Sequence, residues 1–297
     1  MLYSMSINLD EEKIKQLVAE IKRKKELKDL TDSFVREQLL KVLNQEAKLF
    51  NTLLSKFHSR SAAFKLTIKL VRAKLRRMHG LFRTEKSKID DLVKEYLKIP
   101  SRDKLIQILN SHSSTKERIE FYPQLYQKIF AITGKPKGII DLGCGINPFS
   151  IPLMGLERLN YSAYDLNQEE IGNLKTLFEY LHQKNKNIAG EAGILDFNQM
   201  ERLIQIKKVD LCFMFKITDI IDQGKGHKKS EEVIKAIPTK YMVVSFPTLT
   251  MSGKSMNHPR RGWIELMCRR LGYEFKVLEF SNEIFYVVGK IGKINKV

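Results

Sequence analysis

Apolar positions recur along the chain at two different periods, and the change from one to the other falls near residue 113. Ile14, Leu17, Val18 and Ile21 follow one another at helical spacing behind Asp10, which can cap them. Phe34, Val35, Leu39, Leu40 and Leu43 do the same behind Thr31 or Asp32. A third helix is predicted over Ser61 to Met78, where Phe64, Ile68, Val71, Leu75 and Met78 form one apolar stripe. Lys65, Lys69, Arg72 and Arg76 form a second stripe beside it, so this helix should bury one side and offer a basic edge. Lys88 to Leu97 and Asp103 to Leu109 read as further helices, and the polar run Ser111 to Arg118 reads as a linker and the start of the second domain. The expectation is an all-α domain over 1–112 and a second domain over 113–297.

From Gly138 the pattern alternates strand with helix. Strands are predicted at Gly138 to Leu142, Tyr161 to Asp165, near Ile188, Val209 to Phe215, Tyr241 to Phe246, Glu274 to Glu279 and Ile284 to Val288. Helices fit between them at Phe149 to Met154, Gln168 to His182, Gln199 to Gln205, Glu231 to Ala236 and Arg260 to Arg270. Such alternation predicts a parallel, doubly wound sheet, and the short break from Phe280 to Glu283 adds an antiparallel hairpin at one edge.

The first of these strands leads into the stretch GIIDLGCGINPFS, Gly138 to Ser150. Glycines at Gly143 and Gly145 allow a ligand to approach the backbone closely. A dinucleotide fingerprint needs a third glycine where this chain has Pro148. An S-adenosylmethionine (SAM) site of the class I methyltransferase type has an acid followed by GxGxG. Asp141, Gly143 and Gly145 match that pattern, with Asn147, which tolerates left-handed geometry, in place of the last glycine. An ordinary tight turn is the plainer alternative. The fold expected is therefore α/β, of the class I SAM-dependent methyltransferase type: Rossmann-like, with a seven-stranded, mostly parallel sheet preceded by the helical domain.

Ligands of such sheets lie at the carboxyl ends of the strands. Three acids stand there: Asp141, Asp165 and Asp196. Asp165 is placed to accept from ribose hydroxyls or else to cap the helix from Gln168, and Asp196 to accept from an adenine amino group with Leu195 or Phe197 against the ring. Leu166 and Phe215, beside these strand ends, complete the expected cofactor-binding set. Lys216 follows the fourth strand, where it either faces the acceptor or is a surface lysine. The loop SFPTLTMSGKSM, with Lys254, suits a lid or an RNA contact, or is a connector. No NPPY-like sequence marks amino-group methylation of adenine, and Cys212 and Cys268 lack the setting of a pyrimidine C5 nucleophile.

Charge sharpens the picture. The 297 residues carry a formal net charge of +18. Between Ser55 and Thr84 there are nine Lys/Arg and no acid, which points to a phosphate-binding surface carried by Lys65, Lys69, Arg72, Arg76 and Arg77. A membrane-surface helix is the competitor, but the apolar stripe has no tryptophan and is explained by packing. Three scattered cysteines imply no disulfide framework, six histidines show no metal-ligand spacing, and no run approaches a membrane span. A cytoplasmic protein without metal is expected.

Four segments in order, STKERIEFYPQLYQKIF, DLGCGINPFSIP, SFPTLTMSGK and SNEIFYVVGK, together resemble the aminoglycoside-resistance methyltransferases of 16S ribosomal RNA that modify guanine N7, the Arm/FmrO type. The resemblance spans roughly residues 60 to 290. It implies SAM as cofactor, with Arg118 reaching the methionine carboxylate, the turn from Gly143 to Pro148 holding the molecule, and Asp165 and Asp196 on ribose and adenine. It also implies a helical domain that binds rRNA, the 30S subunit as partner, a monomer, and a role in antibiotic resistance or a housekeeping relative's role. The chain departs from the pattern after Lys216, which continues ITDII without the family's proline. A non-catalytic rRNA-binding or assembly factor with a SAM fold, and a methyltransferase acting on another RNA or on a protein, remain as alternatives.

Overall fold

The computed structural model describes residues 9–24, 27–76, 89–197, 200–222, 226–250 and 253–290. Arg77, Met78 and Arg83 of the basic stretch lie outside the described residues. The chain divides into two compact units, one of residues 1–86 with 166–168 and one of 87–165 with 169–297.

The first unit is built on α1 (Glu11–Lys22), α2 (Asp32–Gln45), α3 (Ala47–Ser55) and α4 (Ala62–Leu75). Asp10, Thr31 and Ser61 cap α1, α2 and α4, each side chain accepting a backbone N–H of the first turn. Leu17, Ile21, Val35, Leu39, Leu53, Val71 and Leu75 form the core between them. On α4 the apolar stripe is buried as its spacing requires, and Lys65, Lys69 and Arg76 are exposed. Arg72 departs from expectation. Its Nε donates to the Ile21 carbonyl at 3.1 Å and its Nη2 to the Glu20 carbonyl, so it caps the carboxyl end of α1 instead of facing solvent.

The second unit begins earlier than the sequence boundary. α5 (Ile89–Lys98) and α6 (Arg102–Asn110) were expected in the helical domain, but Val93, Tyr96, Leu105 and Ile108 share one core with the sheet. The run expected as linker and start of the second domain is folded within this unit: it holds the short α7 (Ser113–Lys116), and Thr115 and Arg118 are buried. α8 (Tyr122–Thr133), which the apolar pattern did not single out, follows and presents Leu125, Tyr126 and Ile129 to the same core.

The strands are β1 (Gly138–Leu142), β2 (Leu159–Asp165), β3 (Ile188–Ile194), β4 (Val209–Phe215), β5 (Thr239–Pro247), β6 (Glu274–Glu279) and β7 (Glu283–Gly289). They form one seven-stranded sheet in the order β3-β2-β1-β4-β5-β7-β6, parallel except for β7, which runs antiparallel to β5 and β6. The order reverses at β1, which places a crevice at the carboxyl ends of β1 and β4. α8 and α9 (Gln168–Lys184) pack on one face around Ile139, Tyr161 and Phe213. The other face carries α10 (Met200–Ile204), α11 (Thr218–Asp222), α12 (Lys228–Ala236) and α13 (Gly262–Leu271), packed on Ile140, Cys212, Met242 and Tyr286. Among the described residues no helix is long and apolar enough to cross a membrane.

Replacing Arg72 by Ala should lower the stability of the chain by about 1–3 kcal/mol in urea unfolding, because two carbonyls at the end of α1 lose their donor. Lys69→Ala, on an exposed turn of the same helix, should change it by less than about 0.5 kcal/mol.

Candidate active site

The turn after β1 is shaped by its two glycines. Gly143 has φ +64° and a Cβ there would lie 1.8 Å from Ile217 Cδ1, so both conformation and space exclude a side chain. Gly145 has φ +47°, and a Cβ would sit 3.4 Å from the His112 ring. The N–H groups of Gly143 and Cys144 donate to the Tyr164 carbonyl at 2.8 and 3.1 Å, and that of Gly145 donates to Asp165 Oδ2 at 2.9 Å. Within the turn these N–H groups hold β2, and the places of the missing side chains are taken by Ile217 and the His112 ring.

Asn147 does not adopt the left-handed geometry expected of it, since Lys216 is the one non-glycine residue with positive φ among the described residues. It opens a 3-10 helix, Asn147–Leu153, with Pro148 in the first turn, where a missing N–H costs nothing. Its side chain is buried and bridges two groups: Nδ2 donates to Asp141 Oδ2 at 2.8 Å, and Oδ1 accepts from the Tyr122 hydroxyl at 2.8 Å. The Tyr161 hydroxyl donates to the same Asp141 oxygen at 2.6 Å. Asp141 is thus the anchor of the turn, spanning β1, β2 and α8. Burial pushes its carboxyl up to about 6, against the pull of Tyr161 and Asn147.

At the neighbouring strand ends Asp165 is half-buried, and its carbonyl accepts the Leu195 N–H at 3.1 Å, which draws the ends of β2 and β3 together. Asp196 and Phe197 follow, both buried. Leu166 packs with the core of the helical unit.

A third cluster lies at the ends of β4, β5 and β7. Arg118 is 1% exposed and grips Glu283, itself wholly buried, with Nε at 2.9 Å from Oε2 and Nη2 at 2.7 Å from Oε1. The guanidinium also stands 4.7 Å from the centre of the Phe215 ring. Lys216 Nζ lies 3.3 Å from Glu283 Oε2 and pairs with Glu117, while its N–H donates to Ser245 Oγ at 3.1 Å. Ser245 Oγ in turn donates to Glu283. Burial alone would raise the Glu283 carboxyl, and the charges of Arg118 and Lys216 more than reverse this, holding it below the usual range. Asn282 donates from Nδ2 to the Glu117 carbonyl at 3.0 Å, and its Oδ1 is buried without a partner among the described residues.

The structure therefore gathers Arg118, Phe215 and Lys216 into one cluster, and Gly143, Gly145 and Asp165 into another. Sequence reasoning missed Glu283 and Tyr122. The signal for Glu283 is a carboxylate opening a strand that is otherwise apolar and buried throughout.

A family model described as "Ribosomal RNA methyltransferase (FmrO)" matches residues 69–287. The chain belongs to this family. Among curated relatives, the 16S rRNA (guanine(1405)-N(7))-methyltransferase of Proteus mirabilis is 28% identical over 191 residues, covering 63% of this chain and 65% of the relative. That of Micromonospora echinospora is 28% identical over 193 residues, covering 64% and 67%. The match thus spans about two thirds of these relatives' length. Two solved structures share the fold: the 16S rRNA methylase RmtB at 20% identity, with TM-score 0.67 and 94% and 98% of the two chains covered, and the 16S rRNA methyltransferase RmtF in complex with S-adenosyl-L-homocysteine at 19%, with TM-score 0.69 and 96% and 100% covered.

Two substitutions test this geometry. Glu283→Gln leaves Arg118 buried without its counter-charge and Lys216 with Glu117 alone, and should cost about 3–5 kcal/mol of stability; a loss below about 1 kcal/mol in urea unfolding would mean that the Arg118–Glu283 pair is not formed. Asp141→Asn keeps an acceptor for Tyr161 and Asn147 and removes a titration. The folded carboxyl binds its proton more tightly than the unfolded one, so its contribution is full below about pH 4 and is lost as pH rises to about 6. Relative to Asp141→Asn, the native chain should lose on the order of 3 kcal/mol across that window, read from melting curves at stepped pH.

Proposed function

We propose that the chain transfers a methyl group from SAM to N7 of a guanine in 16S ribosomal RNA, with the assembled 30S subunit in the cytoplasm as its substrate and the chain acting as a monomer. What supports this reading is a glycine turn bonded to Asp165 and a buried cation cluster, both at the carboxyl ends of the strands, in a chain of the FmrO family.

The residues fit the cofactor. Gly143 and Gly145 supply the positive-φ turn that the site needs, Asp165 and Asp196 provide acceptors for ribose hydroxyls and the adenine amino group, and Phe197 supports a ring. Arg118 has five donors, of which two bind Glu283. A further donor is the natural partner of the methionine carboxylate. SAM supplies an electrophilic methyl on sulfonium sulfur. The guanine N7 lone pair lies in the plane of the base, so the N–C bond can form as the S–C bond breaks without any proton leaving first. No general base is needed, and the residues of the cluster serve to orient and to exclude water. Lys216, held by Glu117 and Glu283, is the residue proposed on the acceptor side. Lys65, Lys69 and Arg76 on α4, together with Lys254 and with Arg77 beyond the described residues, are proposed to grip phosphates.

The deciding test is methyl transfer from labelled SAM to small ribosomal subunits, followed by chemical cleavage at 7-methylguanosine. One cleavage in 16S rRNA is expected; label that resists cleavage would discard N7, and no label with SAM bound would discard catalysis on RNA. Lys65→Gln with Lys69→Gln should weaken subunit binding about tenfold and leave SAM affinity unchanged in calorimetry.

A further inference from the structure

Opposite the packed face of β2 lies a surface that, among the described residues, only a short helix covers. Leu159, Tyr161 and Ala163 point into the core, while Asn160, Ser162 and Tyr164 alternate onto the other side. Over β4, β5 and β7 that second side is roofed by α11, α12 and α13, but beside β2 and β3 the only roof among the described residues is α10, five residues long. A cleft of about 950 Å³ remains.

Its floor sets polar groups beside the apolar Leu195, Ile206 and Val209. The Ser162 hydroxyl and the Tyr164 phenol both donate to Glu191 Oε1, at 2.8 and 3.2 Å, and Asn160 stands beside them. Its rim is basic: Lys137, Arg202, Lys207, Lys208 and Lys240, all exposed, line it against two acids, Glu191 and Asp210. Asp210 is already bonded to the Lys137 and Gly138 N–H groups and to Lys240 Nζ. Lys137, Lys208 and Lys240 stand at or next to the amino ends of β1, β4 and β5, whereas the candidate active site lies at the carboxyl ends.

We propose that this cleft is a second RNA-contact groove, which takes a single-stranded segment with its phosphates along the lysine rim and a base on the mixed floor. The five cations of the rim outnumber its two acids and favour an anionic occupant, and the floor offers Asn160, Ser162 and Tyr164 for hydrogen bonds beside apolar groups that can take the face of a base. A nucleic acid strand combines both features, with phosphates spaced along a backbone and hydrogen-bonding bases between them. The inference rests on the reading of the chain as an RNA enzyme and extends it, because a strand seated here would be held independently of the bases at the active site.

The test uses the full chain and a fluorescent single-stranded oligoribonucleotide of about 12 nucleotides, within the span such grooves cover. Lys207→Gln with Lys208→Gln should lower affinity about tenfold and make the slope of log K against log salt shallower by about 1.4, some 0.7 for each phosphate that is no longer neutralised. SAM affinity should be unchanged, which shows that the variant is folded. If the native chain binds RNA and the double variant matches it in affinity and slope, the groove is overturned and the proposed function stands. If a polyglutamate peptide competes as well as the oligoribonucleotide, the rim is a surface for acidic protein and the groove is again overturned. If the native chain binds neither this probe nor ribosomal subunits, both readings fall.

Discussion

Arg118 and Glu283 are 165 positions apart in the chain and meet where no water reaches either of them. An isolated charge at either position would be prohibitive, so neither segment can settle without the other. Arg118 stands just before α8, on the core side of the sheet, and Glu283 opens β7, which must insert between β5 and β6. Their bidentate pair therefore fixes the last strand against the segment that precedes the first. It also sets the register, since Glu283 lies opposite Pro247 at the end of β5. Lys216 completes the arrangement from the end of β4. Its φ of +54° is costly for a lysine, and its backbone N–H bonded to Ser245 together with its buried side chain on Glu283 over-determine that conformation.

A second group of contacts starts from the same segment. Tyr122, one helical turn after Arg118, donates to Asn147, which donates to Asp141, which also accepts from Tyr161. The stretch from Ser114 to Phe130 thus positions both halves of the crevice, the glycine turn through Tyr122 and the cation cluster through Arg118. In this structure its arginine and its tyrosine are structural members whatever else they bind.

Periodicity made most of the fold legible. Every strand and each capped helix of the first unit followed from apolar spacing and caps, because a face buried on one side must alternate at the period of its element. The roles of polar residues were less legible. Asp141 and Asn147 match a cofactor motif, yet they face each other, and Arg72 sits on a basic stripe, yet it closes a neighbouring helix. In each case a hydrogen-bond partner distant in sequence decides where the side chain points, and spacing does not encode that partner. The unit boundary was misplaced for a related reason: α5 and α6 carry ordinary amphipathic patterns, and nothing in such a pattern says which core the apolar face will join.

The polar groups at the strand ends hold one another in place. The Gly145 N–H holds Asp165, Glu283 holds Arg118 and Lys216, and Tyr161 holds Asp141. Side chains oriented in this way lose little freedom when a ligand arrives, so more of the contact energy appears as affinity and alignment. For the reaction proposed this is the property that matters. A nucleophile with an in-plane lone pair needs no proton removed, and the barrier that a protein can lower is the cost of bringing nitrogen, methyl carbon and sulfur into line. A rigid crevice does that directly, whereas a titrating base at the same place would add charge to be desolvated and contribute nothing to the transfer.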